Sequence, residues 1–100
     1  MVFNPNEKER PRKVVCAAIK LKDDPFSIIC GARHFDEIMR DQILHSTIDK
    51  FLWYQAEQGF IDNYRNFLNR EEACILAQKN NQINFSTHGS NKILFSEDLY

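Results

Sequence analysis

The feature that most constrains this chain is a change of hydrophobic rhythm within residues 28–39. Ile28-Ile29-Cys30 has the apolar, β-branched character of a buried strand, and Gly31 interrupts it. From Phe35 the apolar residues fall at helical spacing: Phe35, Ile38, Met39 and Ile43 face inward, with Glu37, Arg40 and Asp41 outside. A strand that feeds a helix leaves main-chain N–H groups pointing out of the turn, and with the helix dipole they favour an anion. Arg33 and His34 lie in this turn, and a guanidinium fork fits two phosphate oxygens. The junction therefore predicts a grip on a phosphate-bearing small ligand. The plainer reading leaves Arg33 solvated or paired with Asp36 or Glu37, because the spacing is no strict phosphate loop. Gly31 can supply unusual backbone angles here, and His34 or Asp36 can cap the helix.

The flanking sequence builds one domain around that junction. Residues 13–21, Lys-Val-Val-Cys-Ala-Ala-Ile-Lys-Leu, read as a central strand. Lys22-Asp23-Asp24-Pro25 is a turn, and Phe26 to Cys30 returns as its antiparallel partner. The first helix runs to about His45. Ser46-Thr47-Ile48-Asp49 continues it or restarts it with a fresh cap, and the dense Phe51-Leu52-Trp53-Tyr54 fits helix or loop. Gly59 marks a bend or a close backbone approach. Phe60-Ile61-Asp62 and Asn66-Phe67-Leu68 flank a polar Asn63-Tyr64-Arg65, the pattern of a short hairpin. Asn69 and Glu72 have capping-box spacing and open a second helix, with Ala73, Leu76 and Ala77 inward, Ile75 near them, and Lys79 to Asn81 at its end. Gln82–Phe85 is a short strand, 86–91 a loop, Ile93-Leu94-Phe95 an apolar strand, and residues 96–100 dock. The fold expected is α+β: a small antiparallel β-sheet packed against two main α-helices, with residues 13–100 as a single ligand-binding domain. Residues 1–12, with Pro5 and Pro11, read as a flexible arm.

Composition narrows the function. A chain of 100 residues hides roughly 60–70% of its unfolded surface, enough for one modest core. Eight Phe, three Tyr and one Trp are many for such a core, which points some of them to a ligand site or a subunit interface. A net charge of −1 gives no electrostatic case for DNA or a membrane surface. The early basic residues Lys8, Arg10, Arg12 and Lys13 interleave with Glu7 and Glu9, as on a solvated arm. Cys16, Cys30 and Cys74 are far apart in apolar runs, which predicts reduced, inert core thiols and a cytosolic setting. His34, His45 and His88, with Asp36 or Glu37, show no metal-ligand spacing. Glu71-Glu72 is explained by a helix start, and Glu97-Asp98 by holding the last residues in place. No apolar run is long enough to span a bilayer.

The aromatic and amide residues offer a ligand surface. Phe60 or Phe67 can stack on a flat ring such as adenine, with Asn66 or Asn69 reaching a base edge or ribose; alternatively both rings fill the core. Asn91 and Lys92 precede the last apolar run, and Lys92 is either a second phosphate contact or an ordinary exposed lysine.

Taken in order, Val-Val-Cys-Ala-Ala-Ile (14–19), Ile-Cys-Gly-Ala-Arg-His-Phe (29–35), Glu-Gln-Gly-Phe (57–60), Asn-Phe-Leu-Asn-Arg-Glu-Glu-Ala (66–73) and Leu-Phe-Ser-Glu-Asp-Leu-Tyr (94–100) resemble the first-described family of phage Thoeris anti-defence proteins. The resemblance implies a non-enzymatic sponge without a cofactor. Such a protein binds a cyclic ADP-ribose isomer made by bacterial TIR-domain enzymes and holds it, in the host bacterial cytoplasm, away from its effector. Some members are thought to take cyclic oligonucleotides at separate sites. It also implies a homo-dimer or higher homo-oligomer with sites at subunit boundaries, arginines on the pyrophosphate and an aromatic on adenine. Arg33 matches the first role, Phe60 or Phe67 the second, and Lys92 stands where a second arginine is expected. The competing functions are a nucleotide-cleaving enzyme using Glu97, Asp98 or a histidine, and a protein-binding inhibitor of a host defence factor.

Overall fold

The computed structural model describes residues 10–24, 26–85 and 92–100. Four strands form one antiparallel sheet: β1 (Val14–Lys20), β2 (Ile28–Gly31), β3 (Glu57–Asp62) and β4 (Phe67–Asn69), in the order β2-β1-β3-β4. As expected, the apolar run at 14–20 is central. Asp24 closes the β1–β2 turn, accepting from the Phe26 N–H (3.1 Å) and the Ser27 hydroxyl (2.6 Å). The helices are α1 (Glu37–His45), α2 (Lys50–Tyr54) and α3 (Arg70–Lys79). The α+β expectation holds, with a third, short helix added to the two anticipated.

That third helix resolves the ambiguous stretch after His45. Asp49 caps it by accepting from the Phe51 N–H (2.9 Å), so the chain restarts instead of continuing. Ser46 fixes its angle, with its Oγ accepting from the Ile48 N–H (3.1 Å) and from Trp53 Nε1 (3.0 Å). At α3 the predicted capping box is present: Asn69 accepts from the Glu72 N–H (2.8 Å), and Glu72 accepts from the Asn69 N–H (2.9 Å).

All three helices lie on one face of the sheet and bury two apolar clusters. One joins Val14, Ala17, Phe60 and Leu68 to Ala73, Cys74 and Ala77 of α3 and to Leu94 and Leu99. The other joins Ile19, Leu21 and Ile29 to Met39 and Ile43 of α1 and to Trp53 of α2. Each large side chain fully buried here contributes about 1.5–3 kcal/mol. Ile38 and Ile75, both expected inward, are 62% and 69% exposed. Helix α1 starts at Glu37, not at Phe35, and presents Met39 and Ile43 to the sheet. In α3 the buried row is Ala73, Cys74 and Ala77, which turns Ile75 to solvent.

Neither Gln82–Phe85 nor Ile93–Phe95 is a strand. Gln82 instead imitates one with its side chain: Oε1 accepts from the Val14 N–H (2.9 Å) and Nε2 donates to the Val14 carbonyl (2.8 Å). Asn84 and Phe85 donate main-chain N–H groups to the Asp98 carbonyl at 2.8 and 3.1 Å. Leu94, fully buried, donates to the Arg70 carbonyl (3.0 Å) and leads into a 3-10 turn at Ser96–Asp98. Residues 10–12 of the expected arm are docked. Tyr64 Oη donates to the Arg10 carbonyl (2.6 Å), Asn80 Nδ2 donates to the Arg12 carbonyl (2.6 Å), and Arg12 Nε meets Asp62 Oδ2 at 2.6 Å.

Candidate functional site

The β2–α1 junction differs from its expected form at Gly31 and Phe35, and it settles the cap between His34 and Asp36. Gly31 is the last residue of β2, and the positive φ falls on Phe35 (56°) instead. A bulky residue in the left-handed region is strained. Phe35 is held there by stacking on Tyr54 (centroids 5.5 Å apart) and by its N–H, which lies 3.1 Å from Met39 Sδ. Glycine is required at 31 for space: a Cβ would sit 2.7 Å from Asp36 Oδ1. Asp36, not His34, caps α1, accepting from the Met39 N–H (2.8 Å) and from the Arg33 N–H (3.0 Å). Burial works against that charge, but these main-chain donors win and hold the Asp36 carboxyl below its usual range. The anion that the junction's N–H groups attract is thus the chain's own carboxylate. What remains for an external anion is the side chain of Arg33.

Arg33 is clasped by Tyr100. Its Nη2 donates to the Tyr100 main-chain oxygen, its guanidinium lies over the Tyr100 ring at 4.7 Å, and Tyr100 Oη donates to the Ala32 carbonyl (2.5 Å). Its Nη1 is buried and has no hydrogen-bond partner. A buried cationic N–H left unmatched is costly, and a phosphate oxygen is its natural complement.

His34 follows Arg33 in the chain, its ring perpendicular to that of Phe60 with centroids 5.3 Å apart. Its Nε2 lies 2.7 Å from the Gly59 carbonyl and its Nδ1 lies 3.5 Å from Arg70 Nη2. Those partners fix the tautomer: Nε2–H donates to Gly59, and the Nδ1 lone pair faces Arg70. Burial and the Arg70 charge lower the His34 pKa, against the opposing pull of the Gly59 carbonyl and Glu97, so the ring is neutral near pH 7.

Arg70 is the residue that sequence reasoning missed. It is the first residue of α3, where the capping-box pattern accounts for its neighbours and gives no signal for its own partners. Its Nη1 donates to the Leu94 carbonyl (2.8 Å), its Nη2 donates to Gln58 Oε1 (2.9 Å), and its guanidinium stacks on Phe95 at 4.8 Å. Burial lowers its pKa while Glu97 supports the charge. Among the described residues no carboxylate lies within ion-pair distance of it. Arg70 thus reaches His34 from α3, while Arg33 precedes His34 in the chain, and the two guanidinium groups rest on the rings of Phe95 and Tyr100. Tyr100 and Phe95 were equally hidden, because docking of the last residues carries no local signal for which cation they meet.

The other expected site residues are not gathered here. Phe60 has no exposed surface, so its ring is a wall for His34 and not a platform for a base. Phe67 points to the opposite face of the sheet, beneath Lys20 Nζ at 4.9 Å. Asn66 is spent on the β3–β4 turn, its N–H and Nδ2 both donating to Asp62. Lys92 is exposed at the start of the segment leading to Leu94, and Asn91 and His88 lie outside the described residues. Among the described residues no three His, Cys, Asp or Glu side chains cluster in a way that could hold a metal ion. No described helix is long and apolar enough to cross a membrane.

The thiols also depart from expectation. Cys74 is buried, but Cys16 and Cys30 are only partly buried and lie on the sheet face away from the described helices.

No curated protein and no solved structure matches this chain. A family model does, across residues 13–100, which takes in the whole sheet, all three helices and both arginines of the site. The chain belongs to the phage T4 y16D protein family.

Proposed function

We propose that this phage-family protein binds and sequesters a nucleotide signal of the cyclic ADP-ribose type without cleaving it. The observation that carries the reading is the buried, unmatched Nη1 of Arg33, supported by a second guanidinium, that of Arg70, 3.5 Å from the neighbouring residue His34. Two guanidinium groups suit a pyrophosphate, which offers several acceptor oxygens to desolvated donors. Affinity without turnover suits the ring of His34, because both of its nitrogens face protein groups and neither is free to pass a proton to a ligand. The resemblance to the Thoeris anti-defence proteins supplies the ligand class and the setting, the cytoplasm of an infected bacterium. Tyr100, 43% exposed, forms the rim, and a second protomer in a homo-oligomer would complete the enclosure of a ligand that so small a domain cannot surround.

The test is release. The protein is incubated with cyclic ADP-ribose isomers, separated from free ligand, heat-denatured, and the supernatant analysed by mass spectrometry. Intact nucleotide in the released fraction is expected. A hydrolysed product would replace the sponge with an enzyme. A ligand that never leaves the free pool would remove the nucleotide altogether and favour a protein partner.

A further inference from the structure

Nη1 of Arg33 is buried as well as unmatched, so an anion cannot reach it while the contacts around the guanidinium stand as they do. The ring of Tyr100 lies over that guanidinium at 4.7 Å, the Tyr100 main-chain oxygen accepts from Nη2, and Tyr100 Oη donates to the Ala32 carbonyl (2.5 Å). The residue before Tyr100 is fixed on both sides. Leu99 is buried in the α3 cluster, its N–H donates to the Ser96 carbonyl (3.1 Å), and its own carbonyl accepts from Asn84 Nδ2 (2.9 Å). The Tyr100 N–H lies 3.4 Å from the same Ser96 oxygen, long for a hydrogen bond. Beyond that anchor Tyr100 bonds to Ala32 and Arg33. Rotation about its own bonds can free it while Leu99 stays in the core.

We propose that Tyr100 is a cover on the Arg33 anion site, and that its release, hinged on the fixed Leu99, admits an anion to Nη1. The proposal rests on the reading of Arg33 as the phosphate contact. Covered and open states give the guanidinium different partners. In the covered state Nη2 donates to the Tyr100 main-chain oxygen and the ring faces the cation, while Nη1 goes without an acceptor. In the open state both outer nitrogens form a fork for two phosphate oxygens. A phosphate that matches Nη1 makes a charge-assisted bond that the covered state lacks, so it binds the open state better and shifts the population towards it. The apparent dissociation constant is then the intrinsic one divided by the open fraction, and loosening the cover tightens binding.

Phenylglyoxal, an arginine-selective dicarbonyl, reads the cover without any ligand. The full chain is treated, adducts are located by peptide mass spectrometry, and the exposed Arg40 is the reference. In the native chain Arg33 should react roughly tenfold or more slowly than Arg40. Tyr100→Phe loses the bond to Ala32 but keeps the ring, and should speed Arg33 roughly two- to tenfold. Tyr100→Ala loses both and should bring Arg33 close to Arg40. Inorganic pyrophosphate, titrated calorimetrically into the same three chains, should bind Tyr100→Phe more tightly than the native chain by the same factor. Melting temperatures check the fold, and the near-isosteric Tyr100→Phe carries the comparison if the alanine variant folds poorly. Native Arg33 reacting as fast as Arg40, an unchanged rate in both variants, or weaker pyrophosphate binding by Tyr100→Phe overturns the cover. Faster reaction of Arg33 in the variants, with no pyrophosphate bound by any of the three chains, supports the cover and removes Arg33 as a phosphate contact.

Discussion

Asp62 accepts four hydrogen bonds: from Arg12 Nε (2.6 Å), the Tyr64 N–H (2.9 Å), the Asn66 N–H (2.8 Å) and Asn66 Nδ2 (3.1 Å). Burial pushes its pKa up, but Arg12 and these N–H donors outweigh it and hold the carboxyl below its usual range. The stability this lends is fully present above the unfolded value near 4 and is lost as pH falls through the lower folded value. Asp62→Asn should cost about 1–3 kcal/mol in urea unfolding, a range held low because Arg12 is half exposed, and should flatten the acid limb of the stability profile. His34 works in the same direction through opposite chemistry. Its folded pKa is lowered, so the unfolded chain takes up the proton first, and stability falls as pH drops below about 6.5. Melting temperatures from pH 8 to 5 should show that decline in the native chain and lose it in His34→Gln.

Between β3 and β4 the element-scale constraint is Gly59. A Cβ there would sit 2.1 Å from the Leu68 carbonyl oxygen and 2.6 Å from Phe67 Cζ, so the hairpin closes only over a glycine. Gly59→Ala should therefore destabilise by about 3 kcal/mol or more, measured by chemical denaturation. The sequence announced this close approach, the central position of β1 and the Asn69–Glu72 cap, because each rests on local chemistry: side-chain size, β-branching, a capping carboxamide. It misplaced the left-handed residue. Glycine at 31 was read as a backbone device, whereas Asp36 needs the space and Phe35 takes the strained angle. Gln82 reads as a strand residue, and no local pattern reveals that its side-chain amide stands in for a strand edge. The site was half legible for the same reason. Arg33 and His34 are neighbours in sequence, but Arg70 and Tyr100 reach them through contacts spanning 36 and 67 residues, which periodicity does not encode.

On the scale of the whole molecule, two apolar clusters share one sheet face, and a polar seam runs beside them where His34 touches Phe60 of one cluster while Phe35 packs against the other. Arg70 lies in that seam, 3.5 Å from His34, Arg33 precedes His34 in the chain, and the proposed sequestration of a pyrophosphate rests on the two arginines. Membership of a phage family fits an anti-defence role without specifying its ligand. The most direct measurement is isothermal titration of a cyclic ADP-ribose isomer into the native chain and into Arg33→Ala, with melting temperatures as the check on folding. The account predicts measurable binding by the native chain and a loss on the order of 2–5 kcal/mol in the variant, roughly thirtyfold or more in Kd, with the fold intact. Equal affinity in a folded Arg33→Ala, or no binding by the native chain, would contradict it.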